Sequence, residues 1–239
     1  MQRVFIKGIK GGTGSTSVVA NLACALKKAD VDVIAIDLDA KSDLSLHFGL
    51  PWDNTFGWSN ADNFAAALSY FYQDDDGVVF LPYGTMSKHE NDIINVINNC
   101  QQLDCKATTW LLFDCPAHLD LATIPLQPND IVLELVNCDA VCHSLIYKRL
   151  LSLKGASSRW KHFFLINKYN SASTLEFDLF SLWQSTLPLM ASFFINHDEA
   201  VKESTAARNV AVNCAPLSIA NDDFETLVGW LISKAALIP

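Results

Sequence analysis

The sequence lacks any apolar run approaching the roughly 18 residues that a membrane-spanning helix needs. Its seven cysteines include no C-x-x-C pair, and the spacings of Cys100 with Cys105 and of Cys138 with Cys142 are poor zinc signals without ordered histidines. The odd cysteine count and the lack of a recognisable signal peptide favour reduced thiols. We therefore expect a soluble, cytoplasmic protein.

Basic residues are also scarce in this chain. Lysine and arginine together number 17, against 26 aspartates and glutamates, and the net charge is −9. Because non-specific binding to nucleic acid needs a basic face, we expect no nucleic-acid partner. The 239 residues contain no Gly/Ser linker, repeat or low-complexity segment, and half of them are hydrophobic. We therefore expect one folded domain over residues 1–239.

Short apolar runs alternate with helix-compatible stretches along the chain. The runs predict strands at residues 4–9, 33–36, 78–81, 110–113, 131–136, 163–166 and 193–195. The stretches between them predict helices at about 17–26, 92–103, 140–153, 174–185, 198–207 and 222–236. This alternation predicts an α/β fold, a mostly parallel sheet with helices on both faces. We expect the last helix to pack on the sheet rather than on a membrane, since Lys234 is its only basic residue.

A glycine-rich loop follows the first predicted strand and consists of Lys10, Gly11, Gly12, Thr13, Gly14, Ser15, Thr16 and Ser17. The glycines would let backbone N–H groups surround a polyphosphate, and Thr16 has the position of a Mg²⁺ ligand. The ordinary pattern G-x-x-x-x-G-K-[ST] is incomplete, since Ser15 replaces its lysine and Ile9 its first glycine. A chance glycine-rich turn is the alternative. The dehydrogenase pattern G-x-G-x-x-G fits no register here.

Three further predicted strands end on polar side chains that suit a nucleotide site. After the second strand, Asp37 would hold Mg²⁺ through water and Asp39 would position a hydrolytic water. Asp114 would be a second Mg²⁺ carboxylate, and residues 115–117 would open a loop that senses the γ-phosphate. Asn167 offers the donor and acceptor that match the edge of adenine. Each of these residues alone is commonly a turn residue. Because the carboxyl ends of parallel strands meet at one edge of the sheet, together they indicate a shared site.

Together these motifs resemble the MinD/ParA (SIMIBI-class) ATPases, P-loop NTPases with a deviant phosphate loop. The resemblance implies ATP and Mg²⁺ as cofactors and an ATP-dependent homodimer that encloses two ATP molecules. Lys10 would then reach the phosphates of the partner, acting in catalysis with Asp37 and Asp39. Thr16, Asp37 and Asp114 would serve Mg²⁺. The family's common run Asp-x-Asp-Pro-Gln-Gly-Asn is replaced at residues 37–43, which makes the first switch unusual.

Within that family the chain resembles the BcsQ (YhjQ) proteins of bacterial cellulose-synthesis operons. Those proteins also keep a basic residue before Gly-Gly-x-Gly and a hydroxyl residue in place of the loop lysine, as Lys10 and Ser15 do here. Other matching stretches are residues 44–48 with the later Gly57 and Trp58, and residues 81–84, 136–143 and 197–200. The resemblance implies subunits of the cellulose synthase complex as partners, and recruitment to the inner membrane only through them. Our hypothesis is that ATP binds and favours a dimer while hydrolysis is slow or absent.

Three other interpretations stay open. A turnover ATPase of the MinD/ParA type that positions other cargo would show steady phosphate release stimulated by a partner. An iron–sulfur redox dimer like the nitrogenase iron protein would be coloured, and the neighbours of Cys115 and Cys138 do not match that protein. A scaffold that no longer binds nucleotide would fail to bind ATP analogues.

Overall fold

The computed structural model describes residues 1–154 and 160–236, and an eight-stranded sheet is its framework. The strands are β1 Gln2–Gly8, β2 Val33–Asp37, β3 Tyr72–Gln73, β4 Val79–Leu81, β5 Trp110–Cys115, β6 Ile131–Val136, β7 Lys161–Tyr169 and β8 Met190–Asn196. Their order is β3-β4-β2-β5-β1-β6-β7-β8, and every pairing is parallel except that of β3 with β4. The predicted mostly parallel sheet is confirmed. The sequence does not predict β3, because two residues are too few to show a strand pattern.

All six predicted helices are present in the structure. They correspond to α1 Ser15–Lys28, α4 Glu90–Cys100, α5 Ala140–Leu153, α6 Thr174–Thr186, α7 Glu199–Ala206 and α9 Ile219–Ala236. Three four-residue helices are additional: α2 Leu44–His47, α3 Phe64–Ala67 and α8 Ala211–Cys214. Short 3₁₀ helices span Trp58–Asn60 and Leu68–Tyr70. One turn of helix shows no 3.6-residue periodicity, which explains why the sequence does not predict these short elements.

Helices cover both faces of the sheet, as the alternation predicts. On one face α1 and α9 pack against the strands, and Leu22 and Phe224 are buried there. On the other face α4, α5 and α6 bury Ile97, Ile146 and Trp183. The prediction that the last helix packs on the sheet is confirmed. No helix in the described part of the chain is long and apolar enough to cross a membrane.

The carboxyl ends of β1, β2, β5 and β7 meet at one edge of the sheet. Asp37, the last residue of β2, is paired in register with Asp114 of β5. β1 lies between β5 and β6 and runs into the glycine loop, after which α1 begins at Ser15. The residues predicted from separate strand ends are therefore brought to one place, the usual position of a ligand in such a sheet.

Candidate functional site

The glycine loop between β1 and α1 takes its shape from two glycines. Gly14 has a φ of 90°, in the left-handed region, and a Cβ there would lie 2.7 Å from Asn167 Nδ2. At Gly8 a Cβ would lie 2.1 Å from Thr13 Oγ1, so the loop can fold back on the strand end only without a side chain. Gly8 therefore allows the close contact between the loop and the strand end. The G-x-x-x-x-G-K-[ST] pattern has its first glycine one residue later, at the position of Ile9.

Two side chains that follow one another at the end of β7 fix the carbonyl groups of the loop. Asn167 Nδ2 donates to the Thr13 carbonyl at 2.7 Å, and Lys168 Nζ donates to the Gly12 carbonyl at 2.9 Å. The backbone N–H groups of residues 10–14 find no acceptor in the described part of the chain. The first amides of α1 also lack partners within the helix. The loop thus offers a set of free N–H donors at a helix N-terminus, the ordinary environment of a bound phosphate.

Two buried carboxylates lie on neighbouring strands at this edge. Asp37 is 0% and Asp114 is 1% exposed. Asp37 accepts the backbone amides of Asp39 at 2.9 Å and of Leu44 at 3.3 Å. By contrast, neither oxygen of Asp114 accepts a hydrogen bond of good geometry within residues 1–154 and 160–236, and the Thr16 hydroxyl is its nearby polar neighbour. A buried carboxylate of this kind fits a cation or a hydrogen-bond donor as its partner.

Burial raises the pKa of both carboxyl groups. Burial, followed by the nearby charge of Asp114, raises the pKa of Asp37 well above its ordinary value. Burial raises the pKa of Asp114 to about 7, and the neighbouring Thr16 hydroxyl opposes that rise. Because carboxylate and hydroxyl oxygens are ligands of Mg²⁺, Asp114 and Thr16 fit this ion. Among the described residues no group of three or more His, Cys, Asp or Glu side chains could hold a metal. Phosphate and water oxygens would therefore complete its coordination, as is usual for Mg²⁺.

A cleft of about 620 Å³ joins the glycine loop to the segment after β2. It is lined by Lys10, Gly11, Gly12, Gly14, Ser15, Thr16, Ser17, Asp39, Ala40, Lys41, Asp43, Ala117 and His118. The structure thus brings Asp39 to the loop, while Thr13 is buried behind it. Trp58 Nε1 donates to the Asp37 carbonyl at 2.7 Å and so anchors the strand end. The sequence identifies Trp58 only as part of a stretch that matches the BcsQ proteins. It gives no signal for this contact, because Trp58 lies far from Asp37 along the chain.

Lys10 lies at the edge of the cleft in an ion pair with Asp139. The distance from Lys10 Nζ to Asp139 Oδ2 is 2.6 Å, and Asp139 Oδ1 accepts the Cys142 amide at 2.7 Å as the N-cap of α5. The hydrogen bond that Lys10 donates to Asp139 raises the pKa of Lys10. Burial acts to raise the pKa of Asp139, but the bonds from Lys10 and the cap amide outweigh it and leave that pKa below its ordinary value. Asp139 is a site residue that the sequence analysis does not identify.

A second pocket, of about 350 Å³, lies on the other side of the glycine loop and shares Gly14 and Ser17 with the cleft. Asn167 lines this pocket together with Lys168 and residues of α7 and α9, including Val201 and Phe224. Apolar walls beside an amide suit a planar base. However, the Asn167 Nδ2 group is already engaged with the loop carbonyl. The contact of Asn167 with adenine therefore stays a prediction. The observed role of this side chain is to hold the glycine loop.

Comparison with known sequences decides the family. A sequence profile for the family described as "Cellulose biosynthesis protein BcsQ" matches residues 1–232. The chain belongs to the BcsQ family. BcsQ of Escherichia coli K12 is 27% identical over 242 residues, which cover 95% of this chain and 92% of that protein. BcsQ of Salmonella typhi is also 27% identical, with coverage of 95% and 92%. The resemblance to BcsQ is confirmed along nearly the whole chain.

Solved structures of MinD proteins share the fold of this BcsQ-family chain. The cell-division ATPase MinD of Pyrococcus furiosus superposes with a TM-score of 0.75 at 25% identity, covering 97% of this chain and 98% of that one. MinD of Pyrococcus horikoshii, solved with Mg-ADP, has a TM-score of 0.73 at 23% identity and covers 99% of both chains. The MinD/ParA type of P-loop fold is confirmed.

Proposed function

We propose that this BcsQ-family protein binds ATP with Mg²⁺ in the cleft and that the bound nucleotide favours a homodimer. The observation that carries the proposal is the meeting, at one sheet edge, of free loop amides and the unpartnered Asp114 carboxylate. The amides complement phosphate oxygens and the carboxylate complements a cation. A magnesium nucleotide satisfies both needs at once.

Each predicted residue then has a separate part. The amides of residues 11–17 hold the phosphates, while Thr16 and Asp114 hold Mg²⁺ and Asp37 contacts it through water. Bound Mg²⁺ would neutralise the charge of the phosphate oxygens. Asp37 also shapes the segment after β2, because its carboxylate accepts two backbone amides from that segment. Asn167 contacts adenine from the wall of the neighbouring pocket.

Lys10 acts between two subunits in this account. Its ammonium lies at the edge of the cleft and is paired within its own subunit to Asp139. Both side chains are about one-third exposed, at 32% and 38%, so the pair is screened by water and weakly held. In the dimer Lys10 exchanges Asp139 for the phosphates of the nucleotide bound by the partner.

Hydrolysis is slow or absent in this account because Ser15 stands where the loop lysine of ordinary phosphate loops lies. A charge-assisted contact of that kind is worth about 1.5–3 kcal/mol, or roughly one to two powers of ten in affinity. The loop amides, Mg²⁺ and Lys10 from the partner offset part of this loss. Asp39, which lines the cleft, is the residue that would position a water for any residual turnover.

The biological setting follows from the family. Its members bear the description of a cellulose biosynthesis protein. We place this chain as an accessory component of the cellulose synthase and secretion complex, in the cytoplasm, and at the inner membrane only through subunits of that complex. A MinD structure from Aquifex aeolicus, with a TM-score of 0.72, is a complex with MinC. Binding of a protein partner by the nucleotide-dependent dimer is in keeping with that precedent for the fold.

Light scattering combined with a phosphate-release assay tests the proposal. We expect a monomer without nucleotide and with ADP, a dimer with ATP and Mg²⁺, and little phosphate release over the lifetime of the dimer. The alternative is a turnover ATPase that positions other cargo, which the location of Asp39 in the cleft favours. Sustained phosphate release that a partner accelerates would select that alternative. Failure to bind ATP analogues would indicate a scaffold protein that no longer binds nucleotide.

A further inference from the structure

A second cluster of charged side chains is buried on the α5 face of the sheet and is not used by the proposed nucleotide site. Lys7 of β1, 1% exposed, is paired in register with Glu134 of β6, 0% exposed. Arg149 of α5 approaches this carboxylate, with Nε 3.1 Å from Oε1 and 3.0 Å from Oε2. His162 of β7 places Nε2 3.2 Å from Oε2 of the same group.

This cluster contains two cations for one carboxylate. Arg149 and His162 already complement Glu134, which leaves Lys7 without an anion of its own. Lys7 Nζ donates to the Leu119 carbonyl, and among the described residues this is the only hydrogen bond of an ammonium that has three donors. Burial lowers the pKa of Lys7, and the charge of Glu134 opposes that effect. A buried cation with one neutral partner is costly, and an anionic ligand would remove much of that cost.

A cavity of about 510 Å³ opens at this cluster. Lys7, Arg149 and Ser152 line it on the polar side, and Leu121, Leu153 and Trp160 provide apolar walls. Its volume falls in the range of small-molecule pockets. The one carboxylate among the lining residues, Asp120, is exposed, and its Oδ1 accepts the Ala122 amide. Water therefore screens its charge at the mouth of the cavity.

The segment 117–122 separates this cavity from the nucleotide cleft. Ala117 and His118 line both spaces, and Lys7 holds the carbonyl of Leu119 between them. An anion that draws the Lys7 ammonium toward itself competes with that carbonyl. Occupancy of the cavity and the position of the segment beside the cleft are therefore linked, and such a linkage acts equally in both directions.

We propose that this cavity binds a small organic anion, whose carboxylate or phosphate group contacts Lys7 and Arg149, and that its occupancy is coupled to the nucleotide cleft through residues 117–122. The coupling rests on the proposed nucleotide binding, whereas the anion site does not.

Thermal unfolding of the full chain without nucleotide tests the site. The protein is titrated with sodium benzoate or sodium phosphate while sodium chloride keeps the ionic strength constant. We expect the melting temperature to rise with the logarithm of probe concentration above the dissociation constant, for at least one probe. Such a rise with benzoate indicates a carboxylate with an apolar body, and one with phosphate indicates a phosphate monoester. Because the glycine loop also attracts phosphate, variants of the cavity assign the effect.

Ser152 offers a matched pair of variants, because it is exposed on α5 at the mouth of the cavity. Ser152→Asp places a competing carboxylate near Arg149 and should raise the dissociation constant of the probe at least about tenfold. Ser152→Asn should leave it within about twofold. Lys7→Met should abolish the rise in melting temperature. Absence of a rise with both probes, or a rise that survives either Ser152→Asp or Lys7→Met unchanged, would overturn the site. If Lys7→Met does not fold, the Ser152 pair decides alone.

The affinity of a fluorescent ATP analogue with Mg²⁺ tests the coupling. In the unaltered protein we expect its dissociation constant to change at least about fivefold at saturating probe. Any change that Ser152→Asp shows at the same probe concentration measures direct competition at the glycine loop and is subtracted. An unchanged constant in the unaltered protein would overturn the coupling. If the analogue does not bind at all, the proposed function fails, and the unfolding titration still decides whether the anion site exists.

Discussion

The ammonium of Lys10 lies 2.6 Å from the carboxylate of Asp139, so the residue predicted to reach a second subunit is already paired within its own. The other oxygen of Asp139 caps α5 by accepting the Cys142 amide. Asp139 therefore joins the glycine loop to the helix that follows β6. We infer that the monomer holds Lys10 at Asp139 and that dimerisation must break this pair.

Asp139→Asn should strengthen the ATP-dependent dimer. Asparagine remains a good N-cap, so α5 keeps its start while the charge that holds Lys10 is lost. Since an exposed ion pair is worth up to about 1 kcal/mol and the homodimer breaks two of them, the dimer dissociation constant should fall by up to about thirtyfold. Sedimentation with ATP and Mg²⁺ measures it. Asp139→Ala, which also removes the cap, is the comparison, and a weaker dimer in Asp139→Asn would contradict the inference.

Ser15→Lys should restore the missing charge of the phosphate loop. We expect ATP to bind about ten to a hundred times more tightly, because one charge-assisted contact is regained, and phosphate release to rise. Ser15→Met, of similar length without charge, is the control and should not bind more tightly. Titration with a fluorescent ATP analogue and a phosphate-release assay provide the readouts. Equal affinities of the lysine and methionine variants would show that residue 15 does not face the phosphates.

Asp114→Asn should stabilise the nucleotide-free protein at neutral pH and abolish binding of the magnesium nucleotide. In the folded state burial raises the pKa of Asp114 to about 7. Below that pH the folded protein keeps the Asp114 carboxyl protonated, whereas the unfolded chain has already released the proton. The free energy of unfolding therefore falls between about pH 4 and pH 7, by on the order of 1–4 kcal/mol. The raised pKa of Asp37 acts in the same direction.

Urea unfolding at pH 5 and pH 8 measures this effect. Relative to the unaltered protein, the Asp114→Asn variant should lose less stability between the two pH values and should be the more stable at pH 8. A variant that is less stable at pH 8 would show that Asp114 is ionised and well solvated without a cation.

Asn167→Ala should separate the two roles of this side chain. Loss of the bond to the buried Thr13 carbonyl should cost about 1–3 kcal/mol of stability and weaken binding of any polyphosphate. If Asn167 also contacts adenine, ATP should lose more affinity than inorganic triphosphate does. Competition against a fluorescent nucleotide gives both affinities. Asn170→Ala, at an exposed turn nearby, is the control and should change neither. Equal losses for the two ligands would assign Asn167 to the loop alone.

The sheet and its functional edge could be predicted because their signals are local. The buried strands are largely apolar runs, interrupted at Lys7 and Glu134. Asp37, Asp114 and Asn167 stand at or just beyond the ends of such runs. In a parallel sheet, strand ends of this kind must meet. The glycine loop could be predicted for the same reason, because its glycines lie close together in the sequence. What the sequence could not show is that Gly8 rather than residue 9 makes the close contact, since that depends on how the loop folds back.

The contacts between distant residues could not be predicted from one sequence. Lys10 and Asp139 are 129 positions apart, and Asn167 lies 154 positions from Thr13. Their pairing depends on the order of strands in the sheet, in which β1 is next to β6 and β6 is next to β7. Composition and periodicity do not fix that order. For this reason the sequence predicts Asn167 only as an adenine ligand and does not predict its hydrogen bond to the Thr13 carbonyl.

The mass of the protein in solution tests the central claim most directly, namely that ATP joins two subunits through Lys10. Light scattering of the purified full chain is compared for the unaltered protein, Lys10→Ala and Lys106→Ala, a control at an exposed surface lysine. With ATP and Mg²⁺ we predict twice the mass of one chain for the unaltered protein and for Lys106→Ala, and the mass of one chain for Lys10→Ala. A dimer without nucleotide, or a Lys10→Ala variant that dimerises normally with ATP, would contradict the account.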